Sequence, residues 1–141
     1  MTENDTVKAL QGVLRRKESG IKQTEAITRY LEFVREKCPN NPDYTTGFSL
    51  GVRKHRLETG INDLLGKGVG GDDERIKSWK LELAMIEVHY VAVRTNPNTI
   101  HGWQDAELKA QELEEKVTFD FVKGYAAEEL FEHAILNPET E

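Results

Sequence analysis

Between Asp73 and Arg94 the apolar residues fall into two sets instead of one. Ile76, Trp79, Leu83, Ile86, Tyr90 and Val93 recur at three- and four-residue spacing, which lines them along one side of an α-helix. Leu81, Met85, Val88 and Ala92 repeat that spacing on another side. A surface helix needs only one apolar stripe. A helix with two must run through the centre of its own domain or lay its second face against another subunit. The segment at about 73–94 is therefore expected to be the central, two-faced helix of the protein, with Leu81, Met85, Val88 and Ala92 as candidates for an oligomer interface. Glu82, Glu87 and His89 interrupt its most apolar stretch, which is shorter than the roughly 20 residues that cross a bilayer, so no membrane span is expected.

Helical spacing recurs on both sides of this segment. Asn4, Asp5 and Thr6 can cap a helix carrying Val7, Leu10, Val13 and Leu14, with Gly20 as its stop. Thr24 opens a second, whose stripe is Ile27, Tyr30, Leu31, Val34 and Cys38 and whose end is the turn Pro39–Pro42. From Asp43 to Leu65 the apolar residues again form two sets, Phe48 and Val52 against Leu50, Leu57, Ile61 and Leu64, so two neighbours are needed to cover them. Gly47, Gly51 and Gly60 each cost up to about 1 kcal/mol relative to alanine in a helix interior, and a bend or break is expected near Gly60. Residues 66–72 are a flexible Gly-rich loop, and the aspartates that close GKGVGGDD suit a helix cap.

After the turn at Thr95–Asn98, a helix over Gln104–Val117 has Ala106, Ala110, Leu113 and Val117 in register. The stretch VTFDFV at 117–122 alternates like a strand, yet nothing elsewhere in the chain can pair with it, and helix is favoured there. A last helix at Ala126–Leu136 buries Ala127, Leu130, Phe131, Ala134 and Ile135, followed by a frayed tail at 137–141. The expectation is an all-α, compact bundle of five or six helices forming one domain over residues 1–141, a length that can bury a core without disulfides or a structural metal.

Cys38 is the only cysteine, which excludes an intramolecular disulfide and suits a reducing compartment. The opening MTENDTVKAL has no basic stretch leading into an apolar run, so a cytoplasmic location is expected. The net charge of −6 is unevenly spread: residues 1–71 carry 12 Lys/Arg against 9 Asp/Glu, and residues 72–141 carry 7 against 16. Such polarity supports head-to-tail assembly or a basic ligand face, unless the halves neutralise each other on folding.

Several groups of residues are candidates for chemistry. GKGVGGDD lacks the Lys-Ser/Thr ending of a phosphate-binding P-loop, no buried strand precedes it, and Asp72, Asp73 and Glu74 would repel a phosphate. Arg53, Lys54 and Arg56 form a local basic patch that can take nucleic acid or a small phosphorylated ligand, although a pI near 5.3 opposes strong nonspecific nucleic-acid binding. Trp103, beside the turn NTIHGW, is either a satellite core residue or a partner anchor.

Glu112 and Glu115 sit three apart on one helix, and Glu129 and Glu132 repeat the spacing on another, which lets four carboxylates converge on a divalent ion. This pattern is similar to the paired acidic helices of the all-helical nucleoside triphosphate pyrophosphohydrolases. The resemblance implies Mg2+-dependent nucleotide hydrolysis, covers only the last third of the chain, and departs from the family pattern at Glu132, where that pattern has Asp. None of the four histidines follows a glutamate by three residues, as a bundle di-metal site requires, and His89 is expected to be semi-buried between the two apolar faces. Cys38 falls on an apolar stripe with no base beside it, and no nucleophile elbow occurs. With apolar faces and charge asymmetry but no catalytic constellation, the chain is expected to be a non-enzymatic interaction or regulatory protein that self-associates and binds a macromolecular partner, with no cofactor. The alternatives are the metal-dependent pyrophosphohydrolase and the binder of a phosphorylated ligand.

Overall fold

A computed structural model describes residues 20–116 and 125–137. Among them are five α-helices and no strand: α1 (Gly20–Lys37), α2 (Pro42–Gly66), α3 (Glu74–Val93), α4 (Pro97–Lys116) and α5 (Tyr125–Leu136). The all-α bundle is as expected. The helix placed around Val7–Leu14, the stretch 117–122 and most of the tail lie outside the described residues.

Two Asn-Pro pairs start helices. Asn41 caps α2 by accepting the Tyr44 amide at 3.1 Å, and Pro42 occupies the first turn, where its missing N–H costs nothing. Asn96 does the same for α4, its side-chain oxygen taking the Asn98 amide at 2.9 Å while its Nδ2 donates to Asp43 at the head of α2. α4 therefore begins at Pro97, not near Gln104, and Trp103 sits on the helix rather than beside a loop. α1 begins at Gly20, ahead of Thr24, and the helix that Gly20 is expected to stop lies outside the described residues. Burial of Ile27, Tyr30, Leu31 and Val34 holds α1 in the bundle.

α2 is the middle of the molecule. It is one unbroken helix of 25 residues, and its glycines are contact points, not breaks. A Cβ on Gly47 would lie 2.0 Å from the Thr99 carbonyl oxygen, and one on Gly102 would lie 2.1 Å from that of Tyr44. A Cβ on Gly51 would meet the Ala106 methyl at 2.6 Å. Backbone thus touches backbone along the α2–α4 seam, as it does wherever small residues four apart face each other on two helices. Tyr44 seals the seam by donating its hydroxyl to Asp105 Oδ2 at 2.6 Å. At the far end Gly68 takes the positive φ of +87° that turns the chain toward α3.

The two apolar sets of α2 do serve two neighbours. Phe48 and Val52 enter a core made with Ile27, Tyr30, Leu31 and Val34 of α1, Ala106, Ala110 and Leu113 of α4, and Leu130, Phe131 and Ala134 of α5. Phe48 stacks on Phe131 with ring centroids 5.1 Å apart. Leu50 and Leu57 point the other way and form a smaller cluster with Ile86, walled by Trp79, Leu83, Tyr90, Val93 and Trp103. α3 packs there, at the edge of the bundle, so the centre expected of the 73–94 helix is taken by α2. Only Ile76 and Ile86 of α3 are buried.

Candidate functional site

Toward α2, α3 sets Glu82 into an ion-pair layer beside its packed apolar stripe, and toward solvent it carries a second apolar face. The ion-pair layer grows from the run Arg53, Lys54, His55, Arg56, which a helix fans around its circumference at 100° per residue. Arg53 Nη2 lies 3.0 Å from Glu82 Oε1 on α3. Arg56 Nε lies 2.8 Å from Glu128 Oε1 on α5 and its Nη2 lies 3.7 Å from Glu82, so it bridges three helices. Lys54 Nζ reaches Glu58 at 2.9 Å and Glu107 at 3.8 Å, and lies 5.6 Å from the Trp103 ring centre. Each of the three expected ligand-binding cations therefore faces carboxylates of its own chain. Half-buried charge requires such partners, because an uncompensated one would cost several kcal/mol. Burial pushes the Glu128 carboxyl above the ordinary glutamate range even with Arg56 beside it. For Lys54, burial acts against the charge, but the hydrogen bond to Glu58 and the carboxylates around it hold the ammonium above its usual value.

His55, in the middle of this basic run, is a residue that the sequence patterns do not single out as a site. It is buried between α2 and α4, with Nε2 2.9 Å from Glu114 Oε2 and Nδ1 3.9 Å from Glu107 Oε1. The signal was present, since 48, 52 and 55 continue one helical stripe. Beside it opens a groove of about 470 Å3 lined by Glu58, Thr59, Asn62, Lys80, Glu107 and Gln111 among others. An imidazole oriented by a carboxylate can serve as a general base when a nucleophile faces it. The hydroxyl on this groove, Thr59, donates instead to the backbone carbonyl of His55 at 2.9 Å. Cys38 is buried in the opposite core, where burial pushes its thiol up to about 11 and away from thiolate chemistry.

The four acidic candidates are not gathered. Glu112 turns outward and pairs with Lys109 at 3.1 Å, Glu115 is exposed, and it is Leu113 between them that enters the core. On α5 Glu132 is exposed and Glu129 half-buried, while Glu128 is the acid turned inward. Among the described residues no three His, Cys, Asp or Glu side chains are placed to hold a metal ion. Trp103 stacks on Tyr90 with centroids 3.8 Å apart and rings inclined by 13°, as part of the smaller cluster.

The outward face of α3 is different. Leu81, Met85 and Val88 are 65, 64 and 72% exposed, and Ala92 is exposed beside them. Two further members, Ala84 and Val91, share the same phase and extend the strip; the helical spacing that picks out the first four could have found them. His89, expected to be semi-buried, is exposed at the margin of this face. Six neighbouring apolar side chains on one helix make a patch of several hundred Å2, the size at which exposed apolar surface on a soluble domain marks a contact site. Among the described residues, no helix is long and apolar enough to cross a membrane. A search for relatives returns none: no family model, no curated protein and no solved structure matches this chain.

Proposed function

We propose that this protein is a non-enzymatic interaction module that joins other protein chains through the outer face of α3. One observation carries the proposal: Leu81, Met85 and Val88 stand well over half exposed in a continuous strip, while the other apolar side of the same helix is already packed on α2 through Ile86, Trp79 and Leu83. An ordinary surface helix has one apolar side and hides it, whereas this helix keeps a second one in water. Keeping three large apolar side chains in water is unfavourable by about 1.5–3 kcal/mol each relative to burial, and an interface recovers that free energy.

The test compares the wild-type protein with Met85→Lys/Val88→Lys in light scattering and in capture from a cell extract. Assemblies formed by the wild type should be lost in the variant, while its melting temperature stays within a few degrees. Equal assembly by both proteins, or none by the wild type in either setting, overturns the proposal.

A further inference from the structure

We infer that the occupant of this face is a second copy of the same chain, packed antiparallel about a two-fold axis that passes opposite residues 86 and 87. The inference rests on the interaction reading above and names the partner. A two-fold contact must be self-complementary, so residue i meets j wherever j meets i. The strip from Leu81 to Ala92 has its midpoint between 86 and 87, and only an axis at that midpoint covers the whole strip in an antiparallel pair.

In that register Leu81 lies over the partner's Ala92 and Met85 over the partner's Val88, so large side chains meet smaller ones and the layers interdigitate. Ala84 and Val91 also fall opposite each other, and the alanines let the helices approach closely. The spacing 81, 85, 88, 92 is the alternation of four and three that seats side chains between neighbours in a left-handed helix pair. At the margin Glu82 comes beside the partner's His89, a carboxylate facing an imidazole at both ends of the contact. The second oxygen of Glu82 remains for this, because it is Oε1 that Arg53 and Arg56 hold.

A parallel pair is worse on each count. It sets Leu81 on Leu81 and Ala92 on Ala92, which crowds one end and leaves a gap at the other. It also aligns two helix dipoles that the antiparallel pair opposes. With six apolar residues per chain on one helix face, the contact lies near the roughly 1,000 Å2 at which specific interfaces begin, so a dissociation constant in the micromolar range is expected.

The full chain, near 100 µM so as to exceed a micromolar dissociation constant about tenfold or more, should scatter as twice its mass of 16.1 kDa. Leu81→Cys mixed with Ala92→Cys should then form a disulfide-linked dimer under mild oxidation, and neither variant alone should link to itself. Cys38 is buried and does not interfere, as the wild type shows in the same oxidation. Both positions are exposed, so folding is checked by unchanged circular dichroism. Linkage of Leu81→Cys to itself overturns the antiparallel register. A monomeric wild type overturns the second copy; if it still captures another protein through Met85 and Val88, the interaction reading stands without it, and if it captures nothing both fall.

Discussion

The α2–α4 seam and the outer face of α3 are both made by small and apolar residues on helices, and they answer to opposite rules. Along the seam there is no room for a single added carbon at Gly47 or Gly102, because the atoms in the way are backbone carbonyl oxygens that no rotamer change can move. On the outer face of α3, large side chains at positions 81, 85 and 88 touch little, and their size is no constraint on the fold of the single chain. Apolar character alone does not distinguish core from exposed surface. What distinguishes them is whether the chain's own backbone or the solvent stands opposite.

The strongest way to break the comparison is at the seam. Gly47→Ala and Gly102→Ala should each destabilise by about 3 kcal/mol or more in urea unfolding, at the upper end of overpacking costs, since relief requires separating two helices. A loss below 1 kcal/mol in both would mean that the helices do not approach as closely as described. Next, Arg56→Ala should cost about 3 kcal/mol at neutral pH by leaving the buried Glu128 carboxylate with Arg53 only at 4.0 Å. That cost should shrink as pH falls into the glutamate range, because the folded state already favours the protonated Glu128. A pH-independent loss would point to packing instead of charge.

The apolar core behind α2 gives a third test. Tyr30 donates its hydroxyl to the Ala127 carbonyl at 2.7 Å, and burial raises its pKa well above the usual value, as it raises the Cys38 thiol to about 11. The folded pKa exceeds the unfolded one for both, so stability is intact below about pH 9 and falls as pH rises from there. For the unfolded chain sheds protons that the folded chain keeps. Cys38 alone should contribute roughly 2–3 kcal/mol of loss between pH 9 and 11, and Cys38→Ala should flatten that part of the slope. The smallest effect belongs to the outer face. Val88→Lys should leave the stability of the single chain within about 0.5 kcal/mol, the usual range for surface substitutions, when measured under dilution. A larger loss would show that the face is packed within one chain and is no contact surface at all.

Much of this architecture follows from spacing in the sequence. The stripes of α1, α2 and α5 and both faces of α3 emerge from three- and four-residue periods, because burial on a helix repeats at 3.6. The glycines of α2 mislead, since helix propensity is a local quantity and the reason for Gly47 and Gly51 lies in Thr99, Trp103 and Ala106, far along the chain on another helix. The same holds for Arg53, Lys54 and Arg56. A run of cations looks like a ligand patch until Glu82, Glu128, Glu58 and Glu107 are folded against it. The start of α4 was within reach, because an Asn before a Pro is a helix cap as well as a turn. Positions 81, 85, 88 and 92 are legible as one exposed apolar strip, because a surface that meets water is decided by its own helix alone.

The seam also orders events in time. Tyr44 and Asp105 join across it at 61 residues' separation, and all of α3 lies within the loop that this closure forms. Closing that loop carries an entropic cost that the short helices cannot offset one by one. Folding should therefore be timed by the meeting of Gly47 with Thr99 and Gly102 with Tyr44, with α3 settling onto α2 afterwards. Changes at the seam should slow folding, whereas changes at Leu57 or Ile86 should mainly speed unfolding. A chain built this way orders its outer α3 face only once the rest is complete, so the proposed contact with another chain would follow folding instead of competing with it.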